Sequence, residues 1–241
     1  MDYHDVLAAF GAGSAHPGGF RGTLDGLEQV TLAPHARVLE VGCGTGRTAC
    51  AIAERFGVEV IGVDLREEML TKARQRAAAF VAPVVFLHAE RPDQLAFADA
   101  SFDLVVAESV TIFNPIPPLL AEYWRVLRTG GVLLDTEMAA SYPLPPPLLQ
   151  EVRELYGATI VPTLKEWKQL FTAAGFANVQ TVRSGPVREM SLQDELHDGM
   201  AMVSKQAFSS AATRIVERNT KLMGANAHWF AYGVFRAIKP T

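Results

Sequence analysis

The chain has few cysteines, and long apolar runs are absent. Only two of its 241 residues are cysteines, Cys43 and Cys50, and the six histidines are scattered without ligand spacing. A disulfide framework and a structural metal site are therefore not expected. No apolar run approaches the roughly 18 residues that a transmembrane helix needs. Because the start, Met1 to Asp5, is acidic where a signal peptide would be basic, we expect a cytoplasmic protein.

The chain also lacks an excess of positive charge. It has 22 Lys and Arg against 26 Asp and Glu, a formal net charge of -4. A surface that binds nucleic acid needs an excess of cations, so DNA and RNA are not expected as partners. Hydrophobic residues make up 49%, an ordinary globular composition. We expect a single α/β domain over 1–241, as a monomer or a homodimer.

What is present is an alternation of apolar, β-branched runs with helical patterns. This alternation is typical of a doubly wound α/β sheet. The predicted strands are 38–41, 58–63, 84–87, 102–107, 132–136, 179–182 and 229–238. Apolar residues at helical spacing predict helices over 49–56, 69–80, 117–127 and 164–174, the third closed by Gly130-Gly131 and the last opened by a Thr163–Glu166 capping box.

Three segments, 1–28, 141–160 and 188–225, are irregular. Four prolines between Ser141 and Pro147 prevent a helix or a central strand from running through that stretch. The spacing of Leu192, Leu196 and Met200 favours one or two amphipathic helices in the last segment. We expect the three segments to form a small lid that carries substrate specificity.

A glycine-rich loop follows the first strand, in the order Glu40-Val41-Gly42-Cys43-Gly44-Thr45-Gly46. Glycines here allow a sharp turn and bring backbone N–H groups close to a ligand. The third glycine falls one residue too early for the dinucleotide pattern G-x-G-x-x-G, and no Gly-Lys-Ser/Thr follows for a P-loop. Glu40 suits a cationic ligand better than a pyrophosphate.

Two acidic positions follow the next strands. Asp64 ends the second strand, where a carboxylate can accept both hydroxyls of a ribose; it can equally cap the following helix. After the third strand, Ala89 and Glu90 can read an adenine edge, with Arg91 as the alternative to Glu90.

These motifs resemble a known family. Residues 38–46 resemble motif I of the class I S-adenosylmethionine-dependent methyltransferases, and 62–70 resemble their second motif. Residues 101–106 and 127–133 resemble later strand motifs of the ubiquinone/menaquinone-methyltransferase-like (type 11) branch. The resemblance covers about 35–140. It implies a three-layer, Rossmann-like sheet of seven mostly parallel strands, with the last strand antiparallel.

The resemblance also implies roles at matching positions. Gly42, Cys43, Gly44 and Gly46 would present backbone to the methionine part of S-adenosylmethionine. Asp64 would bind the ribose, and Leu65 and Met69 would pack near the adenine. Glu90 would approach the adenine amino group. Glu108 and Ser109 would line the sulfonium side.

The N-terminal segment His16 to Thr23 carries polar residues among glycines. We predict that His16 lies near the transferred methyl group and that Arg21 or Thr23 binds the carboxylate of the cofactor. The alternative is a surface linker. His16, Glu108 and His228 are the candidate general bases, needed only where the acceptor must lose a proton.

The predicted function is methyl transfer from S-adenosylmethionine, with S-adenosylhomocysteine as product. The aromatic content of the irregular segments indicates a small, partly apolar acceptor, methylated on O, N or C by in-line displacement. One alternative is a non-catalytic S-adenosylmethionine-binding protein. The other is a nicotinamide-dependent oxidoreductase, which the glycine spacing disfavours.

Overall fold

The computed structural model describes residues 1–78, 83–187 and 201–241. Its strands are β1 (Arg37–Val41), β2 (Glu59–Asp64), β3 (Val84–His88), β4 (Phe102–Glu108), β5 (Leu127–Ala140), β6 (Ala177–Pro186) and β7 (Phe230–Ile238). The α-helices of the described residues are α1 (Tyr3–Phe10), α2 (Gly19–Leu27), α3 (Arg47–Phe56), α4 (Glu67–Ala77), α5 (Ile116–Val126), α6 (Pro146–Tyr156), α7 (Leu164–Ala173) and α8 (Ser210–Asn226).

The seven strands form one sheet in the order β3-β2-β1-β4-β5-β7-β6. Strand β1 pairs in parallel with both β2 and β4, so the strand order reverses there. Strand β7 is antiparallel to both of its neighbours, β5 and β6. The predicted seven-stranded, mostly parallel sheet with an antiparallel last strand is confirmed. Open α/β sheets bind ligands at such a switch point, beyond the carboxyl ends of the strands.

Successive residues of the central strands pack into two apolar clusters on opposite faces of the sheet. Leu39 and Val105 belong to one cluster, and their neighbours Val38 and Leu104 belong to the other. All four side chains are completely buried. Because both faces are covered, these strands are near-continuous apolar runs rather than alternating ones, which explains why they stand out in the sequence.

Strand β5 is longer than its predicted range of 132–136. It begins at Leu127 and includes the Gly130-Gly131 pair that we expected to close the preceding helix. Backbone bonds with Lys239 hold this pair: the Gly130 N–H donates to the Lys239 carbonyl (2.9 Å), and the Lys239 N–H donates to the Gly131 carbonyl (3.0 Å). The preceding helix ends at Val126, before the two glycines, and pairing with a segment about a hundred residues away places them inside β5.

The segments expected to be irregular contain helices. Segment 1–28 forms α1 and α2, and α1 begins with a capping box of Asp2 and Asp5. In segment 141–160 the helix α6 starts at Pro146, with prolines in its first turn, where their missing N–H groups are not needed. The described part of 188–225 contains α8; Leu192, Leu196 and Met200 lie outside the described residues. Among the described residues, no helix is both long and apolar enough to cross a membrane.

Candidate active site

A cavity of about 660 Å³ opens at the carboxyl ends of β1, β2 and β4. Its walls come from the loops that follow β1 to β4, from α1 and from α6. Most of the residues predicted from the sequence to bind the cofactor line it: Glu40, Gly42, Cys43, Gly44, Asp64, Leu65, Met69, Ala89, Glu90, Glu108 and Ser109.

The glycine loop turns through left-handed backbone conformations at Gly42 (φ 70°), Gly44 (φ 51°) and Gly46 (φ 72°). A Cβ on Gly42 would lie 2.3 Å from Cγ2 of Val110, so a side chain cannot be accommodated there. Gly46 lies outside the cavity lining and precedes the first residue of α3 as its N-cap. The loop therefore presents bare backbone to the cavity, as a cradle for an extended ligand requires.

Asp64 joins two of these loops. Its Oδ2 accepts the Gly44 N–H (2.9 Å), and its Oδ1 accepts the Arg66 N–H (2.8 Å). The N-cap of α4 is Arg66 rather than Asp64. Each carboxylate oxygen retains further acceptor capacity toward the cavity, so the side chain can still bind two hydroxyls.

The next loop separates Glu90 from its neighbour. Glu90 lines the cavity, whereas Arg91 is absent from the lining and pairs with Asp93 (2.7 Å). Of these two sequence candidates, the geometry favours Glu90 for an adenine contact.

A polar cluster surrounds Glu108 at the end of β4. Its Oε1 accepts a hydrogen bond from Thr23 Oγ1 (2.5 Å), and its Oε2 accepts one from Thr48 Oγ1 (2.8 Å). Nε2 of His16 lies 3.5 Å from the same Oε2, and Nδ1 of His16 lies 3.3 Å from the Pro17 carbonyl. The segment from His16 to Thr23 is thus folded against the site, and the side chains of His16 and Thr23 are buried.

Glu40 is the second acid of this cluster. Its Oε2 is buried without a hydrogen-bond partner, and its side chain lines the cavity. Burial raises the pKa of Glu40 well above its ordinary value, and the nearby charge of Glu108 raises it further. A buried, unpartnered acid beside a second carboxylate is stabilised by a positively charged ligand. The two carboxyl groups of Glu40 and Glu108 therefore suit a ligand that carries a positively charged sulfonium and an amino group.

Two predicted residues lie away from the cavity. Arg21 is on the outer side of α2, with its side chain 69% exposed, and pairs with Asp25 (3.0 Å). His228 is exposed and packs against the ring of Trp229 (5.3 Å). Neither belongs to the cavity lining.

Cys43 lines the cavity, but burial raises the pKa of its thiol well above the ordinary value. A thiol that stays protonated is a poor nucleophile. Cys43 therefore serves as a small residue of the glycine loop.

Sequence reasoning missed the aromatic end of the cavity. Tyr3 and His4 of α1, Phe113 and Tyr156 line it together. Tyr3 packs edge-on against Tyr156 (4.7 Å), and His4 packs edge-on against Phe113 (4.5 Å). The Asp2–Asp5 capping box was a readable signal for α1. No local pattern shows that this helix returns over the sheet.

Comparison with known proteins identifies the family. Residues 38–131 match the methyltransferase domain family. The chain is 33% identical over 180 residues to the uncharacterized methyltransferase YodH of Bacillus subtilis, covering 75% of this chain and 76% of that protein. The chain belongs to the class I S-adenosylmethionine-dependent methyltransferases. The predicted activity, methyl transfer from S-adenosylmethionine, is confirmed.

Other similarities are more partial. The chain is 38% identical over 139 residues to the ubiquinone/menaquinone biosynthesis C-methyltransferase UbiE of Dinoroseobacter shibae, covering 55% of this chain and 54% of that protein. A structure of phosphoethanolamine N-methyltransferase 2 of Haemonchus contortus superposes with a TM-score of 0.76 at 21% identity, over 99% of this methyltransferase and 57% of that chain. This methyltransferase thus spans little more than half of that structure, and the likeness shows a shared fold.

Proposed function

We propose that this methyltransferase transfers the methyl group to a small, partly apolar organic molecule bound in the same cavity as the cofactor. The observation that carries this proposal is that two different sets of residues line the cavity. One set, the polar end, is the glycine loop with the carboxylates beside it, and the other, the aromatic end, is the set of rings in contact as Tyr3–Tyr156 and His4–Phe113.

At the polar end, the chain's residues fit S-adenosylmethionine. Gly42, Cys43 and Gly44 offer backbone for the methionine part, with Gly46 setting the turn into α3. Asp64 would bind the ribose hydroxyls. Glu40 and Glu108 would face the positive charges. The adenine would lie among Leu65, Met69, Ala89 and Glu90. When bound, S-adenosylmethionine supplies a methyl group made electrophilic by its sulfonium.

Ser109 and Thr23 complete this end in different ways. Ser109 lines the cavity with a left-handed backbone (φ 54°), which turns the chain away from β4 beside Glu108. Thr23 reaches the site through its bond to Glu108 and is not itself in the lining. Thr23 therefore supports Glu108, and Arg21 has no place in the proposed site.

At the other end, the acceptor would lie among the rings of Tyr3, Phe113 and Tyr156 and the side chains of Met138 and Met223. Thioethers and ring faces bind apolar bodies of varied shape. The protein's task is to hold an acceptor atom in line with the methyl group, about 3 Å away, and to exclude water.

The prediction that three segments form a lid is supported by the residues that they contribute to the cavity lining. Segments 1–28 and 141–160 contribute Tyr3, His16 and Tyr156 to the lining, and Met223 comes from the described part of 188–225. We infer a single domain over 1–241 in which these segments select the acceptor. A cytoplasmic location, no nucleic-acid partner, and a monomer or homodimer stay predictions; the free thiols of Cys43 and Cys50 suit a reducing compartment.

The deciding experiment is calorimetric titration of S-adenosylhomocysteine into wild-type protein and Asp64→Ala. Loss of two hydrogen bonds to a charged group, at about 1.5 kcal/mol or more each, predicts at least a 100-fold weaker affinity, by the rule that about 1.4 kcal/mol is tenfold. Asp99→Ala is the matched control, since Asp99 is 79% exposed and pairs with Arg125 on the surface. Equal affinity of Asp64→Ala and wild type would contradict the site. The amount of S-adenosylhomocysteine formed from S-adenosylmethionine is then measured with candidate acceptors of three kinds: small alcohols and phenols, small amines, and compounds with an acidic C–H group. The kind that supports turnover identifies the acceptor class.

A further inference from the structure

His4, in α1, lines the cavity. A backbone carbonyl determines which of its two ring nitrogens carries the hydrogen in the neutral form. Its Nε2 lies 3.0 Å from the carbonyl oxygen of Tyr156. A carbonyl oxygen can only accept a hydrogen bond, so Nε2 carries the hydrogen. In the neutral ring, Nδ1 is then the bare, proton-accepting nitrogen. Within the described part of the chain, no group donates to Nδ1.

The surroundings favour the neutral ring. Burial is the largest cause that lowers the pKa of His4, and the charge of Arg66 lowers it too. The bond to Tyr156 and the charges of Asp2 and Asp5 act in the opposite direction but do not cancel this effect. The ring is also held in place, by Phe113 at 4.5 Å and Tyr3 at 5.8 Å.

The other two histidines considered as bases are placed differently. Nδ1 of His16 faces the Pro17 carbonyl, and its Nε2 is directed at Glu108 and Thr23. Both nitrogens of His16 are therefore engaged within the polar cluster. His228 is exposed and outside the lining. His4 belongs to the aromatic end, where the acceptor would lie, and its Nδ1 has no hydrogen-bond partner among the described residues.

We propose that His4 is the general base for an acceptor that carries an O–H group, such as a phenol. This assignment rests on the proposed function and narrows its substrate class. Nδ1 takes the hydroxyl proton while the acceptor oxygen forms a bond to the methyl carbon. The bond from that carbon to sulfur breaks with its electron pair on sulfur, leaving neutral S-adenosylhomocysteine, a methyl ether and a protonated His4. The imidazolium then loses its proton to water.

The first test needs no acceptor. Nitrogen-15 NMR of histidine-labelled protein with S-adenosylhomocysteine bound reads the protonation of each ring nitrogen, and His4→Gln assigns the signals. We expect Nε2 protonated and Nδ1 bare at about pH 7, since the pKa is below the ordinary 6.5. A proton on Nδ1 at that pH overturns the assignment whatever the acceptor is.

The second test compares two phenols of different acidity. Unsubstituted phenol is protonated at about pH 8 and needs a base, as tyrosine does, whereas 4-nitrophenol is largely ionised there and does not. His4→Gln, which keeps an N–H for the Tyr156 carbonyl, should lose about 100-fold or more in kcat with phenol and little with 4-nitrophenol. Added imidazole should restore phenol methylation by His4→Ala. His35→Asn is the matched control, because His35 is an exposed histidine with a left-handed backbone (φ 68°) that asparagine tolerates.

The outcomes separate the two proposals. Equal losses with both phenols would make His4 a packing residue and overturn its role as a base. Wild-type protein that binds S-adenosylhomocysteine but methylates neither phenol would overturn the O–H acceptor class, while the cofactor site would stand. Failure to bind S-adenosylhomocysteine would instead overturn the proposed site itself.

Discussion

Oε1 of Glu137 accepts the backbone N–H of Thr111 at 2.7 Å, and the same oxygen accepts the N–H of Val110 at 3.0 Å. A buried side chain near the carboxyl end of β5 thus holds the loop after β4, which carries Val110 and Phe113 into the cavity wall. Thr111 adds a bond from its hydroxyl to Asp135 Oδ2 (2.8 Å).

We expect Glu137→Ala to lower the free energy of unfolding by about 3 kcal/mol, since it leaves the buried N–H of Thr111 and the partly buried N–H of Val110 without an acceptor. At about pH 4, where both side chains are uncharged in the fold, Glu137→Gln keeps that acceptor oxygen and should stay within about 1 kcal/mol of wild type. Urea unfolding measures both. Glu59→Ala, at an exposed ion pair with Arg37, is the control and should change stability by less than about 1 kcal/mol. An Ala variant at position 137 as stable as this control would show that the loop does not depend on Glu137.

The two buried acids Asp135 and Glu137 lead to a prediction about how stability depends on pH. Burial raises the pKa of Asp135 from 3.8 to about 7 and raises that of Glu137 well above its ordinary value. The folded protein therefore holds protons that the unfolded chain has released, so this contribution to stability is present at low pH and declines as the pH rises from about 4 to about 7.

Urea unfolding of wild type and Glu137→Gln at several pH values over that range tests this. The slope for each proton held only in the folded state is at most about 1.4 kcal/mol per pH unit. Glutamine cannot titrate, so the variant should show a less negative slope than wild type. Parallel slopes would mean that Glu137 does not hold a proton in the fold.

Comparison of Gly42 with Gly57 separates two reasons for a glycine: the lack of space for a side chain, and a left-handed backbone. Both have left-handed backbones, with φ 70° and 65°. A Cβ on Gly42 would meet Val110, whereas a Cβ on Gly57 would meet nothing within 4 Å. Gly57→Ala should lose about 1–2 kcal/mol of stability and keep its affinity for S-adenosylhomocysteine. Gly42→Ala should also displace the loop and lose most of that affinity. Similar affinities of the two variants in calorimetry would remove the steric role of Gly42.

The contrast between Asp64 and His228 shows which parts of the site can be predicted from the sequence. Asp64 follows an apolar strand at a fixed distance from the glycine loop, and adjacent parallel strands bring their carboxyl ends together, so local pattern determines its place. The position of His228 depends on how the last strand pairs with its antiparallel neighbours, and no local sequence pattern specifies that pairing. Arg21 lies outside the cavity lining for a similar reason, because the glycine-rich stretch forms a helix whose outer face carries it. His4 and Tyr156 meet across 152 residues, and only the packed lid reveals that contact.

Glu40 leads to a prediction about cofactor binding. Its raised pKa means that the buried carboxyl holds its proton in the free protein over a wider pH range than an exposed glutamate does. A cationic ligand in the cavity favours the charged form, so binding should release a proton and grow tighter as the pH rises. Titration of S-adenosylmethionine in buffers of different ionisation enthalpy measures this release. Glu40→Gln should release fewer protons and bind more weakly, whereas Glu54→Gln, an exposed glutamate on α3, should match wild type. If Glu40→Gln released as many protons as wild type, the proton would come from another group, and the charge of Glu40 would not respond to the ligand.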